Sequence, residues 1–129
     1  MILSKTLSDR IVHVAQRSVG IPFDWDTFNC VHFVRKVYGE VGIEFPKLLR
    51  YALPPRIFHL SPEEFDSMPI GHSIFLKRKA TLVKERYWTH VAIILDQNHL
   101  IHCTRHLGEG VTISSLPEIL NLYECAPCE

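Results

Sequence analysis

Three side chains in this sequence have the types and the spacing for covalent catalysis. Cys30 stands at the head of an amphipathic run, "WDTFNCVHFVRKVYGEVG" (Trp25–Gly42), and His90 and His102 lie twelve residues apart in "HVAIILDQNHLIHCT". A thiolate is the nucleophilic form of cysteine, and a helix N-terminus favours it by stabilising negative charge. The unpaired N–H groups of that helix end can also hold an oxyanion. A cysteine nucleophile further needs a base, usually histidine, and the base needs a group that orients it. A free cysteine is otherwise a small buried hydrophobe, so the role of Cys30 depends on what reaches it.

The chain has eight histidines. His32 is close to Cys30 in sequence, but residues i and i+2 of a helix do not face each other. His13, His59 and His72 fall on a helix, a connector and a strand start, where ordinary polar roles suffice. His90 opens the most apolar strand, and His102 lies inside its partner strand. A three-residue hairpin loop, Asp96-Gln97-Asn98, pairs Leu95 with His99 and Ala92 with His102. His90 and His102 are then diagonal neighbours on one face, with Cβ atoms about 7–8 Å apart. A two-residue loop instead pairs Ile93 with His102 and puts it on the opposite face. The catalytic reading therefore requires the odd, three-residue loop, with both imidazoles turned towards the helix that starts at Cys30, and it sends Cys103 to the opposite face as a core residue.

The elements that must position these groups are legible from periodicity. Residues 5–19 carry Leu7, Ile11, Val12, Val14, Ala15 and Val19 mostly at helical spacing, and Gly20 with Pro22 ends that helix. Residues 30–41 repeat the pattern, with Gly42 just past the end. "LPPRIFHLSPEEFDSMP" holds four prolines and reads as a connector with one helical turn near Ser61-Pro62. After Pro69 come "HSIFLK", "THVAIILD", "HLIHCTR" and "GVTISS", short β-rich stretches, and then "LPEILNLY" as a last short helix. Helices first and an antiparallel sheet second give an α+β class, with the N-terminal helices packed on one face of the sheet.

No linker, repeat or low-complexity tract divides residues 1–129, so the reading is a single catalytic domain. Lysine plus arginine and aspartate plus glutamate number 14 each, so the chain lacks the electrostatic footprint of a nucleic-acid binder. The basic stretch Lys77–Arg86 reads as a solvated loop. No stretch approaches the ~20 apolar residues of a membrane span. The N-terminus carries Asp9 and Arg10 where a secretory signal has an uninterrupted apolar core. The expectation is a protein cytoplasmic at synthesis, reaching a virion or the cell exterior only by a non-classical route. Its four cysteines, Cys30, Cys103, Cys125 and Cys128, are read as thiols. "HLIHCTRH" (His99, His102, Cys103, His106) and "CAPC" (Cys125, Cys128) are rich in metal ligands. Neighbouring strand residues point to opposite faces, however, so His102 and Cys103 cannot share one ion, and the reading takes no metal and no cofactor.

The order "FNCVHFV", "IGHSIFL", "THVAIILDQNHLIHCT", "GVTISS" resembles the NlpC/P60 family, papain-like cysteine hydrolases of the bacterial cell wall. The resemblance covers roughly residues 9–116. It implies a papain-like fold, Cys30 as nucleophile, His90 as base and His102 as the orienting third residue, acting through a thioester on an amide bond of peptidoglycan stem peptides. "GIPF" and "VRKVYGEVGIEFP" look most like the short members associated with phage tails, which implies a larger assembly as a further partner. This chain departs from the family pattern. Asn29 replaces the usual aspartate before the cysteine, Val31-His32 replaces Ser-Gly after it, Phe23 stands where many members have tyrosine, and His72 replaces the aspartate of Gly-Asp. Phe23, Trp25, Asp26 and His32 are the residues expected to shape the substrate pocket. Acyl transfer to an amine, an amidase activity on another substrate, and a non-catalytic interaction module on the same fold are the alternatives.

Overall fold

The computed structural model describes residues 3–44, 70–78, 90–105 and 107–125. The proline-rich connector, His59, His106, Cys128 and most of the basic stretch lie outside them; Lys77 and Arg78 end the first strand.

Helix α1 spans Lys5–Arg17. Ser4 caps it, its side chain accepting from the Leu7 amide and so satisfying one of the four orphan donors of the first turn. Helix α2 spans Cys30–Glu40 and ends before Gly42, whose φ of 82° is the left-handed stop that glycine accepts without strain. Four antiparallel strands follow: β1 (Ser73–Arg78), β2 (His90–Asp96), β3 (His99–Thr104) and β4 (Gly110–Ser115). Helix α3 (Leu116–Leu122) comes next, then a short strand, β5 (Tyr123–Cys125), which the sequence reading did not anticipate. The sheet order is β4-β3-β2-β1-β5.

Period-two alternation gives the sheet two buried faces. Phe75, Val91, Ile93, Ile101, Cys103 and Val111 pack against Ile11, Val14 and Ala15 of α1 and Phe33, Val34 and Val37 of α2. Ile74, Leu76, Ala92, Ile94 and Leu100 form the other face, with Ile119 of α3. The N-terminal helices therefore do cover one face, as the α+β pattern requires, and α3 closes part of the second.

Two close approaches seat the entry to α2. The "GIP" segment pairs with β4: the Gly20 amide donates to Val111 O at 3.0 Å, and the Val111 amide donates to Ile21 O at 2.9 Å. Gly110 makes this possible, since its φ is +144° and any Cβ there would collide with the Ile21 carbonyl oxygen. On α2, Tyr38 is fully buried and donates its hydroxyl to Gly71 O at 2.8 Å, tying the helix to the start of β1.

Candidate active site

The register that aligns the two histidines is present, but it arises by another route. Asp96 pairs with His99 across a two-residue turn, Gln97-Asn98, and a bulge at Leu95 then shifts the pairing, so that Ile94 faces Leu100 and Ile93 faces Ile101. A bulge sets two residues against one and so restores the parity that the short turn would lose. The Asp96 carboxylate holds this corner, accepting from the Asn98 amide at 2.8 Å and meeting His99 Nδ1 at 2.9 Å. The expected three-residue loop is therefore absent, but continued from Ile93–Ile101 the ladder sets Ala92 opposite His102, the same pairing that loop would give.

His90 and His102 consequently meet. His90 Nε2 lies 2.7 Å from His102 Nδ1, and the ring centroids are 4.9 Å apart at 70°. His102 is fully buried and His90 is 7% exposed. The other nitrogen of His102, Nε2, lies 2.8 Å from the hydroxyl of buried Ser114 on β4. Burial depresses the pKa of His102 to about 4, against a weaker opposing pull from Glu118 on α3. His102 is therefore neutral near pH 7, and each ring nitrogen has a short polar contact.

The first turn of α2 is built by a reciprocal cap. Asn29 Oδ1 accepts from the amides of Val31 (3.0 Å) and His32 (3.1 Å), and the Asn29 amide donates to His32 Nδ1 at 3.1 Å. This is the place of His32: it holds the helix start that carries the nucleophile, a role the sequence reading missed. Asn29 Nδ2 also donates to Trp25 O at 3.1 Å, and Asp24 closes the preceding loop by accepting from the Asp26 and Thr27 amides, both at 2.9 Å. Those backbone bonds hold the Asp24 carboxyl below its ordinary range. Asp26 is exposed, and its amide serves that turn.

Cys30 is half-buried against the α1/α2 core. Burial is the largest influence on its thiol and raises the pKa, against smaller lowering effects of the backbone at Val91, Val31 and Cys30 itself. Position at a helix N-terminus alone predicts a depressed value; in this structure Cys30 rests as a thiol. The Cys103 thiol is pushed up to about 12 by burial and by the neighbouring Cys30. Its thiol donates to Phe28 O at 3.4 Å, and it is a core residue, as expected.

Contrary to the expectation from sequence, the histidines do not turn towards α2. Alternation sends them to the face of Leu76, Ala92 and α3, while α2 packs on the face of Val91 and Cys103. The backbone at Val91, the residue that follows His90 at the start of β2, is among the influences that favour the Cys30 thiolate. Phe23 and Trp25 stack edge to face at 5.2 Å, with the Arg105 guanidinium 5.8 Å from the Phe23 ring centroid and 5.3 Å from that of Trp25. Trp25 is 65% exposed, an aromatic surface with one side open to solvent. Arg105 carries no sequence signal that would single it out from the other basic residues.

The family model described as NlpC/P60 matches residues 20–121. Comparison with curated proteins gives no match. Among solved structures, an NlpC/P60 family protein from Bacillus cereus ATCC 10987 is similar with a TM-score of 0.68 and 21% identity, over 94% of this chain and 39% of that one. A protein described as similar to lipoprotein, NLP/P60 family, from Staphylococcus aureus subsp. aureus Mu50 gives 0.65 and 20%, over 95% and 41%. The NlpC/p60 domain of the peptidoglycan hydrolase SagA gives 0.66 and 23%, over 90% and 96%. The chain spans about two fifths of the first two proteins and nearly all of the third domain. At these identities the likeness concerns the fold.

Proposed function

Because the chain belongs to the NlpC/P60 family, we propose that it is a cysteine hydrolase that cleaves an amide bond in peptidoglycan stem peptides. The observation that carries this reading is the contact of His90 with His102 at 2.7 Å, His90 being the chain neighbour of Val91, whose backbone influences the Cys30 thiol. The family match over residues 20–121 supports a hydrolase of that kind, and the SagA peptidoglycan hydrolase domain shares the fold.

In this mechanism the resting thiol gives its proton to His90 as attack begins, since burial opposes a preformed thiolate. Cys30 Sγ bonds to the carbonyl carbon, and the carbonyl electron pair moves to oxygen. Asn29 already holds the Val31 and His32 amides, so the Cys30 amide is the first-turn donor for that oxyanion. Collapse breaks the C–N bond, and the leaving amine takes the proton from His90. Water then attacks the thioester, giving its proton to His90, and Cys30 leaves as a thiol. His102 makes no bond; it fixes the tautomer and aim of His90. The exposed Trp25 ring and the Arg105 guanidinium stacked on it offer the substrate an aromatic and a cationic contact. Association with a phage tail remains an expectation from the "GIPF" and "VRKVYGEVGIEFP" stretches.

Incubation with purified peptidoglycan and mass spectrometry of the products tests the reading. The wild type should release stem-peptide fragments and Cys30→Ala should release none. Transfer of the acyl group to an added amine without release of hydrolysed fragments would replace hydrolysis by acyl transfer, and equal release by Cys30→Ala would end the assignment.

A further inference from the structure

We propose that Ser114 is a positioning residue for this chemistry, its hydroxyl accepting from His102 Nε2–H whenever His90 carries the proton taken from Cys30. The inference rests on the hydrolase reading above and adds a fourth member to its chain of proton-handling groups. A neutral imidazole has one N–H and one lone pair. Both nitrogens of His102 are in short contact, Nδ1 with His90 and Nε2 with Ser114, so one must donate and the other accept. Two polarities satisfy this. In one, Ser114 donates to His102, which donates to His90 Nε2. In the other, His90 Nε2–H donates to His102, which donates to Ser114.

Protonation of His90 permits only the second polarity. An imidazolium has two N–H groups and no acceptor, so Nε2–H must donate to His102 Nδ1. His102 then carries its proton on Nε2, which needs an acceptor. The burial that keeps His102 neutral near pH 7 prevents it from taking a second proton instead. Ser114 is 2% exposed and His102 fully buried, so bulk water is poorly placed to substitute. A hydroxyl can donate in one state and accept in the other by rotating its O–H, with no heavy atom moving. A carboxylate cannot donate, and an amide nitrogen cannot accept. The ladder supports the placement: Thr112 is the direct partner of His102, and Ser114, opposite Leu100, is its diagonal neighbour on the same face. Glu118 is the charged side chain acting on His102 from α3, and it is exposed.

The test compares wild type, Ser114→Ala and Ser114→Thr in three measurements: turnover of peptidoglycan, the iodoacetamide alkylation rate of Cys30, and ¹⁵N signals of the histidine rings with His90 protonated. Ser114→Ala should lose about tenfold in turnover and in alkylation, the effect of one buried hydrogen bond on the proton-transfer step. Ser114→Thr, which keeps the hydroxyl, should recover to within about twofold. The ¹⁵N spectrum should place the His102 proton on Nε2 in the wild type and the Thr variant. The proposal is overturned if Ser114→Ala alkylates at the wild-type rate, or if a normally melting Ser114→Thr behaves like Ser114→Ala. Wild type that releases no stem peptides would defeat the hydrolase reading alone, because alkylation and ring signals judge the relay without turnover.

Discussion

Asn29 separates two contributions to the nucleophile that are usually fused, the cap of its helix and the charge beside its thiol. Asn29→Ala removes the acceptor of the Val31 and His32 amides, and the loss of such a cap costs about 1–2 kcal/mol of stability. Asn29→Asp keeps that geometry, and a carboxylate near the positive helix end contributes a further ~0.3–1 kcal/mol in its favour. The same carboxylate faces the thiolate of the next residue. Neighbouring Cα atoms are about 3.8 Å apart, which sets the two charges about 5–6 Å from each other. With an effective dielectric between about 20 and 80, that repulsion is ~1–3 kcal/mol. It raises the Cys30 pKa by about one to two units beyond the effect of burial. Iodoacetamide labelling of Cys30 at pH 7, followed by intact mass, should therefore slow by about 5- to 100-fold in Asn29→Asp, while the melting temperature stays at or above wild type. Asn29→Ala should show the reverse, a lower melting temperature with a smaller change in labelling. Wild-type labelling by Asn29→Asp, or a melting temperature as low as that of Asn29→Ala, would refute the argument.

Further outcomes follow from the same geometry. Below about pH 6.5 the unfolded chain protonates His102, whereas the folded protein refuses the proton until about pH 4. Stability should then be lost as pH falls through that window, by up to about 3 kcal/mol; urea unfolding should show this slope in wild type and not in His102→Asn. His90→Ala should remove nearly all turnover, because no base remains, whereas His102→Asn, which can still hydrogen-bond to His90, should lose less than His102→Ala. Turnover and melting measured on the same samples separate that orienting role from simple loss of fold. Gly110→Ala should cost more than about 2 kcal/mol in chemical denaturation, because a Cβ at that φ collides with Ile21 O and breaks the pairing that seats the α2 entry. Cys30 should alkylate before Cys103, whose thiol is held near 12, but at a higher pH than a thiol activated by its helix end alone.

Both helices around the site and the four main strands were legible because their signals are local. Apolar spacing marked α1 and α2, and period-two runs marked β1 to β4. The pairing of His90 with His102 was legible from strand parity, although the device behind it was not. A three-residue loop and a two-residue turn with a bulge at Leu95 give the same pairing, and sequence spacing cannot tell them apart. Which sheet face α2 would cover was harder still. That choice depends on how the whole sheet packs, and it put Cys103 rather than His102 beneath the helix. Strand β5 has three residues, too few for periodicity to register. The cap role of His32 depends on a reciprocal bond with Asn29 that residue types alone do not announce. Ser114 was passed over because a lone serine on a strand is unremarkable until its partner is known to be a buried imidazole.

The covalent intermediate bears most directly on the role of Cys30. Acid-quenched samples of wild type and His90→Ala, taken during incubation with soluble peptidoglycan fragments, can be digested and mapped by mass spectrometry. The wild type should carry a stem-peptide acyl group on the Cys30 thiol, and His90→Ala should carry little or none. Release of fragments with the acyl group on Cys103 or another residue, or with Cys30 never modified, would contradict the account.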